Sequence, residues 1–148
     1  NRYTTEYTVF SGKILSGRFR FERSGFYDGS ISTFSATPLW RPSANLSTAP
    51  GFAWNRITRN NGTFDTRELN WVLNYAFNQR WMTRSTMVLN SQDHNVLLNF
   101  RLRYLYKPGS DLYIVYTESR AYAEAAARTG FGLVNRAVIA KLTYSLDF

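Results

Sequence analysis

Asn135-Arg136-Ala137-Val138-Ile139-Ala140-Lys141-Leu142-Thr143-Tyr144-Ser145-Leu146-Asp147-Phe148 is the stretch that decides how this chain is read. Successive side chains of a strand point to opposite faces, so a strand shows itself as a period of two. Arg136, Val138, Ala140, Leu142, Tyr144, Leu146 and Phe148 share one face, largely apolar and ending in an aromatic ring. Asn135, Ala137, Ile139, Lys141, Thr143, Ser145 and Asp147 share the other, mostly small or polar. The next strand back repeats the pattern, with Leu98, Phe100, Leu102, Tyr104 and Tyr106 against Asn99, Arg101, Arg103 and Lys107. Two arginines on one face do not suit a dry sandwich core. They suit bulk solvent on a half-exposed sheet equally well, so alternation alone does not choose the architecture.

The same alternation recurs through most of the chain. Leu15, Gly17, Phe19 and Phe21 oppose Ser16, Arg18, Arg20 and Glu22, while Phe34, Ala36, Pro38 and Trp40 oppose Thr33, Ser35 and Thr37. Leu46, Thr48, Pro50, Phe52 and Trp54 form another apolar row, as do Leu69, Trp71, Leu73, Tyr75 and Phe77. Trp81 to Asn90 mixes polar residues on both faces, and Leu112 to Arg120 has apolar residues on both. Pro38 and Pro50 fall inside strands, where a missing ladder donor is a cost.

Tight connections are expected at Ser11-Gly12, Arg41-Pro42-Ser43, Asn78-Gln79 and Lys107-Pro108-Gly109-Ser110, all with turn chemistry. Longer ones are expected near Ser24 to Gly29, Arg59 to Thr63, Ser91 to Asn95 and Tyr122 to Val134. Short turns at one end and longer loops at the other mark a membrane barrel. So does strand length: the runs exceed the five or six residues usual in globular sheets and match the roughly nine to eleven that a tilted membrane span needs. Trp40, Phe77, Trp81 and Tyr106 border the short turns, where an interfacial girdle would place them, although core aromatics would show the same composition. The expected fold is therefore all-β: an antiparallel transmembrane outer-membrane β-barrel domain over residues 1–148, with eight or nine strands here.

Composition agrees. Ten Tyr, eleven Phe and four Trp in 148 residues coexist with a hydrophilic average. A sheet with an apolar core reconciles these facts, and so does a barrel that turns its apolar face to lipid. No window is apolar enough for a membrane helix. The absence of cysteine excludes disulfides and thiolate metal sites. The net charge of +8 raises nucleic acid as a partner. The basic residues, however, are scattered singly, with no basic helix or block, so no nucleic-acid partner is expected. Asn1 opens directly into strand-like sequence without a leader, and the chain is read as a mature or truncated product.

Lys141, Thr143, Leu146 and Phe148 resemble the C-terminal signal by which the outer-membrane assembly machinery recognises a barrel, with Thr143 where glycine is commoner. A wider resemblance is carried by five stretches. They are Ser24-Gly25-Phe26-Tyr27-Asp28-Gly29, Leu39-Trp40-Arg41-Pro42-Ser43, Asn61-Gly62-Thr63-Phe64-Asp65-Thr66, Tyr104 through Tyr113, and Asn135 through Phe148. Together they resemble the C-terminal half of a bacterial outer-membrane barrel family of unknown function, whose members usually carry an N-terminal family-9-like carbohydrate-binding module. The resemblance implies a bacterial outer-membrane location, with the lipid bilayer, the lipopolysaccharide leaflet and the assembly machinery as partners. It also implies that earlier strands, from the same or another chain, complete a larger barrel. A competing count gives eight strands, with Lys13–Arg23 pairing directly to Asn135–Phe148 and Arg2 to Phe10 outside the membrane.

No catalytic, cofactor or metal site is expected. The only histidine, His94, sits beside Asp93 in a loop that a solvated turn explains, and Gly-x-Ser-x-Gly is absent. The lumen is the candidate functional surface, lined by Arg18, Arg20, Arg84, Arg101, Arg103 and Lys141 against Glu22 and Glu68. Such a lining favours anions, or it forms Arg–Glu bridges that rigidify a plugged barrel. A channel or transport barrel is the leading function, and a structural anchor for another domain or subunit is the alternative. The stretch 121–132, alanine-rich with Glu124 and Arg128 at i,i+4, is expected to form a helical turn ended by Gly130, as a cap, a docking element or a constriction.

Overall fold

The computed structural model describes residues 2–11, 14–26, 28–122 and 131–145. They form β1 (Arg2–Ser11), β2 (Leu15–Phe26), β3 (Gly29–Ser43), β4 (Leu46–Arg59), β5 (Gly62–Ala76), β6 (Trp81–Asn90), β7 (Asn95–Lys107), β8 (Ser110–Tyr122) and β9 (Phe131–Thr143). All nine belong to one sheet in sequence order, each antiparallel to its neighbours. β1 pairs with β2 along its whole length, so Arg2 to Phe10 is a full member of the sheet. Among the described residues β9 pairs only with β8, while β2 is taken up by β1 and β3. The sheet is open, and the eight-stranded closure of Lys13–Arg23 onto Asn135–Phe148 is not formed.

The connections depart from expectation in two ways. β3 continues through Arg41-Pro42-Ser43, and Ala44-Asn45 makes the turn. Arg41 N–H donates to the Ile14 carbonyl at 2.6 Å, which holds this segment to the start of β2, and a register slip between Trp40 and Ser43 accommodates Pro42. The expected contrast of short turns and long loops also shrinks. β2 ends at Phe26 and β3 starts at Gly29, β4 ends at Arg59 and β5 starts at Gly62, and only Ser91–His94 separates β6 from β7. The longest connection expected falls on residues 123–130. Those residues, with the helical turn expected there, lie outside the described residues, whereas Ala121, Tyr122, Phe131 and Gly132 belong to β8 and β9.

The two strand prolines share one defect. Pairing of β3 with β4 lapses between Ala36↔Phe52 and Trp40↔Thr48, the interval that contains Pro38 and Pro50, while each proline keeps a registered partner on its other side, Gly17 and Trp71. The missing donors are concentrated in one gap rather than breaking three ladders. Gly29 is needed where β2 turns into β3: a Cβ there would stand 2.2 Å from the Thr58 carbonyl oxygen. Gly29→Ala is therefore expected to cost about 1–3 kcal/mol, seen as a lower urea midpoint for the folded, complete protein. An unchanged midpoint would refute this close approach.

Strands of 10 to 15 residues present two chemically different faces and, among the described residues, no second layer. Among the described residues no hydrophobic side chain is buried, and only Ser110 and Glu118 are. Following the registered pairs, one face collects Phe19, Ala36, Phe52, Leu69, Leu89 and Val96 in a single row. Leu98, Phe100, Leu102, Leu142 and Tyr144 are on this apolar face, with Leu142 74 % exposed; Leu146 lies outside the described residues. Trp71 Nε1 on this face donates to Thr48 Oγ1 at 2.7 Å.

The apolar face differs at its two ends. Toward the 44–45, 77–80 and 108–109 turns stand Trp40, Tyr75, Phe77, Trp81, Tyr104 and Tyr144, with Trp81 stacked on Tyr104 at 4.3 Å and Tyr75 edge-on to Phe77 at 4.7 Å. Lys107 Nζ sits 4.6 Å from the Tyr144 ring. In the other half of the strands are the ion pairs Arg56–Asp65 and Arg136–Glu118, with Glu118 also bonded to Arg120 and Tyr116.

Candidate functional site

Antiparallel register carries a face from strand to strand, because directly opposed residues point the same way. The chain of pairs Arg20↔Ser35↔Ala53↔Glu68↔Asn90 fixes the polar face from β2 to β6. On it, Arg84 opposes Arg101, and Arg103 opposes Tyr113, which opposes Lys141. Arg18, two residues from Arg20, completes the set. All six basic residues singled out from the sequence therefore stand on one face, together with Glu22 and Glu68.

That face is a lattice of polar cross-strand contacts. Thr33 donates to Asn55 at 2.8 Å and Asn55 to Thr66 at 3.1 Å, spanning β3, β4 and β5. Asn74 donates to Ser47 at 3.2 Å, and Asn99 to Thr117 at 2.9 Å. Such ladders satisfy buried or half-buried amides without a hydrophobic layer above them.

The charges divide into two regions. Across β1 and β2 they are bridged: Glu22 accepts from Arg2 at 2.8 Å and Arg20 at 2.7 Å, and Arg18 lies 3.3 Å from Glu6. Toward the 44–45 and 108–109 turns the balance is basic. Arg103 bonds Asp111 at 2.9 Å and lies 5.3 Å from the Tyr113 ring. Among the described residues, no carboxylate pairs with Arg41, Arg84, Arg101 or Lys141, and Glu68 has no ion pair. Arg41, Arg84, Arg101 and Arg103 border a cleft of about 530 Å³.

Arg41 and Asp111 are the members of this site that the sequence reading did not single out. Arg41 was placed in a turn, and its place on the face follows only once β3 is seen to extend through Ser43. Lys141 and Thr143 of the C-terminal signal are in β9, while Leu146 and Phe148 lie outside the described residues.

His94 serves the backbone. It adopts φ +50 in the β6–β7 turn, its carbonyl accepts from Tyr122 N–H at 2.8 Å, and its ring lies 5.6 Å from that of Tyr122. Asn90 Oδ1 closes the same turn by accepting from Gln92 and Asp93 N–H. Among the described residues no three carboxylate, histidine or cysteine side chains gather as a metal site.

No family model, curated protein or solved structure matches this chain, so the resemblance to an outer-membrane barrel family rests on the sequence stretches that carry it.

Proposed function

We propose that this sheet is part of a bacterial outer-membrane β-barrel whose apolar face meets lipid and whose polar face lines a lumen favouring anions. The observation that carries the reading is the uncovered apolar face: long strands, one apolar side, and no buried hydrophobic side chain among the described residues. A sheet in water buries its apolar face against a second layer, whereas in a membrane lipid is that layer. Aromatic rings toward one end of the face, and ion pairs with Trp54 beside Arg56 toward the other, suit the two interfaces of a bilayer, the charged end fitting the lipopolysaccharide leaflet. Long-range attraction from the basic lining would then draw anions inward.

A planar bilayer tests the reading. In a salt gradient of potassium chloride, the reversal potential is expected to lie toward that of chloride. Cation selectivity would refute the basic lumen. Absence of any conductance would favour the alternative, a structural anchor for another domain or subunit. The bridged cluster Arg2–Glu22–Arg20 with Arg18–Glu6 supports that second reading, because such ladders fill and stiffen a lumen.

The C-terminal signal belongs to the same proposal. Lys141, Thr143, Leu146 and Phe148 would be the handle for the assembly machinery. Deleting Phe148 is expected to lower the amount inserted in cells several-fold while leaving the stability of refolded protein little changed. Normal insertion without Phe148 would remove the signal from the argument.

A further inference from the structure

The polar face places two arginines where sheet energetics disfavour them. Arg84 and Arg101 are direct cross-strand partners on β6 and β7, and like charges directly opposed destabilise a sheet. The lattice around them offers no relief: Arg103, also on β7, already holds the nearby Asp111, and among the described residues no carboxylate pairs with Arg84, Arg101 or Arg41. Elsewhere on the same face the arginines of β1 and β2 are bridged to glutamates, Arg18 to Glu6 and both Arg2 and Arg20 to Glu22. The unneutralised group converges on one cleft of about 530 Å³, whose wall also carries the Ser47 hydroxyl and the Asn74 amide. Positive charge held together without counter-charge, around a space that admits a small molecule, is the arrangement an anion completes.

The side-chain chemistry narrows the anion. A guanidinium is a planar fork that meets two oxygens at once. A carboxylate has a single pair of oxygens and one charge, so it occupies one fork and leaves the others opposed. A phosphate group has three or more acceptor oxygens and carries about −1.5 to −2 charge near neutral pH. It can therefore bridge Arg84 and Arg101 and still present an oxygen to Arg41 or Asn74. We propose that this cleft is a binding site for a phosphate group, either inorganic phosphate or the phosphate of a phosphomonoester. The site rests on the reading of the polar face as a lumen, since a solute must reach it.

Equilibrium dialysis of radiolabelled inorganic phosphate against the complete detergent-folded protein, at constant chloride, tests this. Saturable uptake is expected. It should be displaced by glycerol phosphate at comparable concentration if the site accepts phosphomonoesters, and only by inorganic phosphate if it takes the free ion. Acetate at equal ionic strength should displace little. The double variant R84Q/R101Q removes the opposed charges, so it is expected to fold at least as well, and to bind phosphate at least about tenfold more weakly. R84K/R101K, which keeps charge without the fork, should also bind more weakly than the parent. R2Q, which removes one positive charge from the same face at β1, should bind as the parent does. Absence of saturable uptake overturns the site, as does R84Q/R101Q binding like the parent or R2Q losing as much as that double variant. Bilayer conductance is a separate readout. A non-conducting protein that still binds phosphate overturns the channel but leaves the site, and a conducting protein without saturable uptake does the reverse.

Discussion

Leu102→Arg is expected to destabilise the membrane-folded protein by about 2–4 kcal/mol, the cost of placing a guanidinium at the lipid-facing midplane of a barrel. Leu102 is one residue past the centre of β7 and opposes Thr83 and Ile114 on the apolar face. The control is on the same strand. Leu97 opposes Val88 and Ser119 on the polar face and is 40 % exposed, so Leu97→Arg introduces the same charge where water and Asn or Ser side chains can solvate it. That variant is expected to cost well under half as much. Urea unfolding in lipid vesicles reads both. Equal costs would mean that the two faces meet the same medium, and the membrane assignment would be lost.

The reason the two leucines separate so cleanly is also the reason much of this fold was legible. A strand assigns faces by parity alone, so Arg18, Arg20, Arg84, Arg101, Arg103 and Lys141 could be put on one side before any neighbour was known. Parity does not say which residues meet. That depends on turn lengths, which set register. Arg84 opposes Arg101 because Ser91–His94 alone separates β6 from β7; one residue more or fewer would have set it against another partner. The same gap hid the difference between the bridged Arg18 and Arg20 and the unbridged Arg84 and Arg101.

Turn chemistry misled at Arg41-Pro42-Ser43 because proline and serine favour turns wherever they fall. The hydrogen bond from Arg41 to Ile14 outweighed that local preference. Glu118 was missed for a related reason. Apolar residues on both faces of Leu112 to Arg120 blurred the period, yet Glu118 and Arg120 share the apolar side, and Arg136 comes opposite Glu118 only through the β8–β9 register. An acid on an apolar face with an arginine two residues on is the signal that could have found it.

The edges of the sheet carry the last and largest expectation. The outer sides of β1 and β9 present rows of backbone donors and acceptors that no described strand pairs, and in lipid each such group costs several kcal/mol. In the proposed lipid setting of this sheet, further strands would have to cover them. Eight successive antiparallel pairings, from β1–β2 to β8–β9, leave β1 and β9 running in the same direction. Direct closure would therefore join them as a parallel pair. Closure with antiparallel pairing throughout takes an odd number of additional strands, which agrees with the even totals of single-chain bacterial barrels. We propose that these strands come from the same polypeptide or another chain. Refolded in detergent by themselves, these 148 residues are expected to give no compact monomer that resists denaturation in unheated sodium dodecyl sulfate. With the covering strands supplied, the amides of β1 and β9 should exchange with solvent as slowly as those of β4 and β5. A resistant monomer of the isolated chain, with backbone contacts between β1 and β9, would instead show a nine-stranded barrel sealed by one parallel pair, and the need for further strands would disappear.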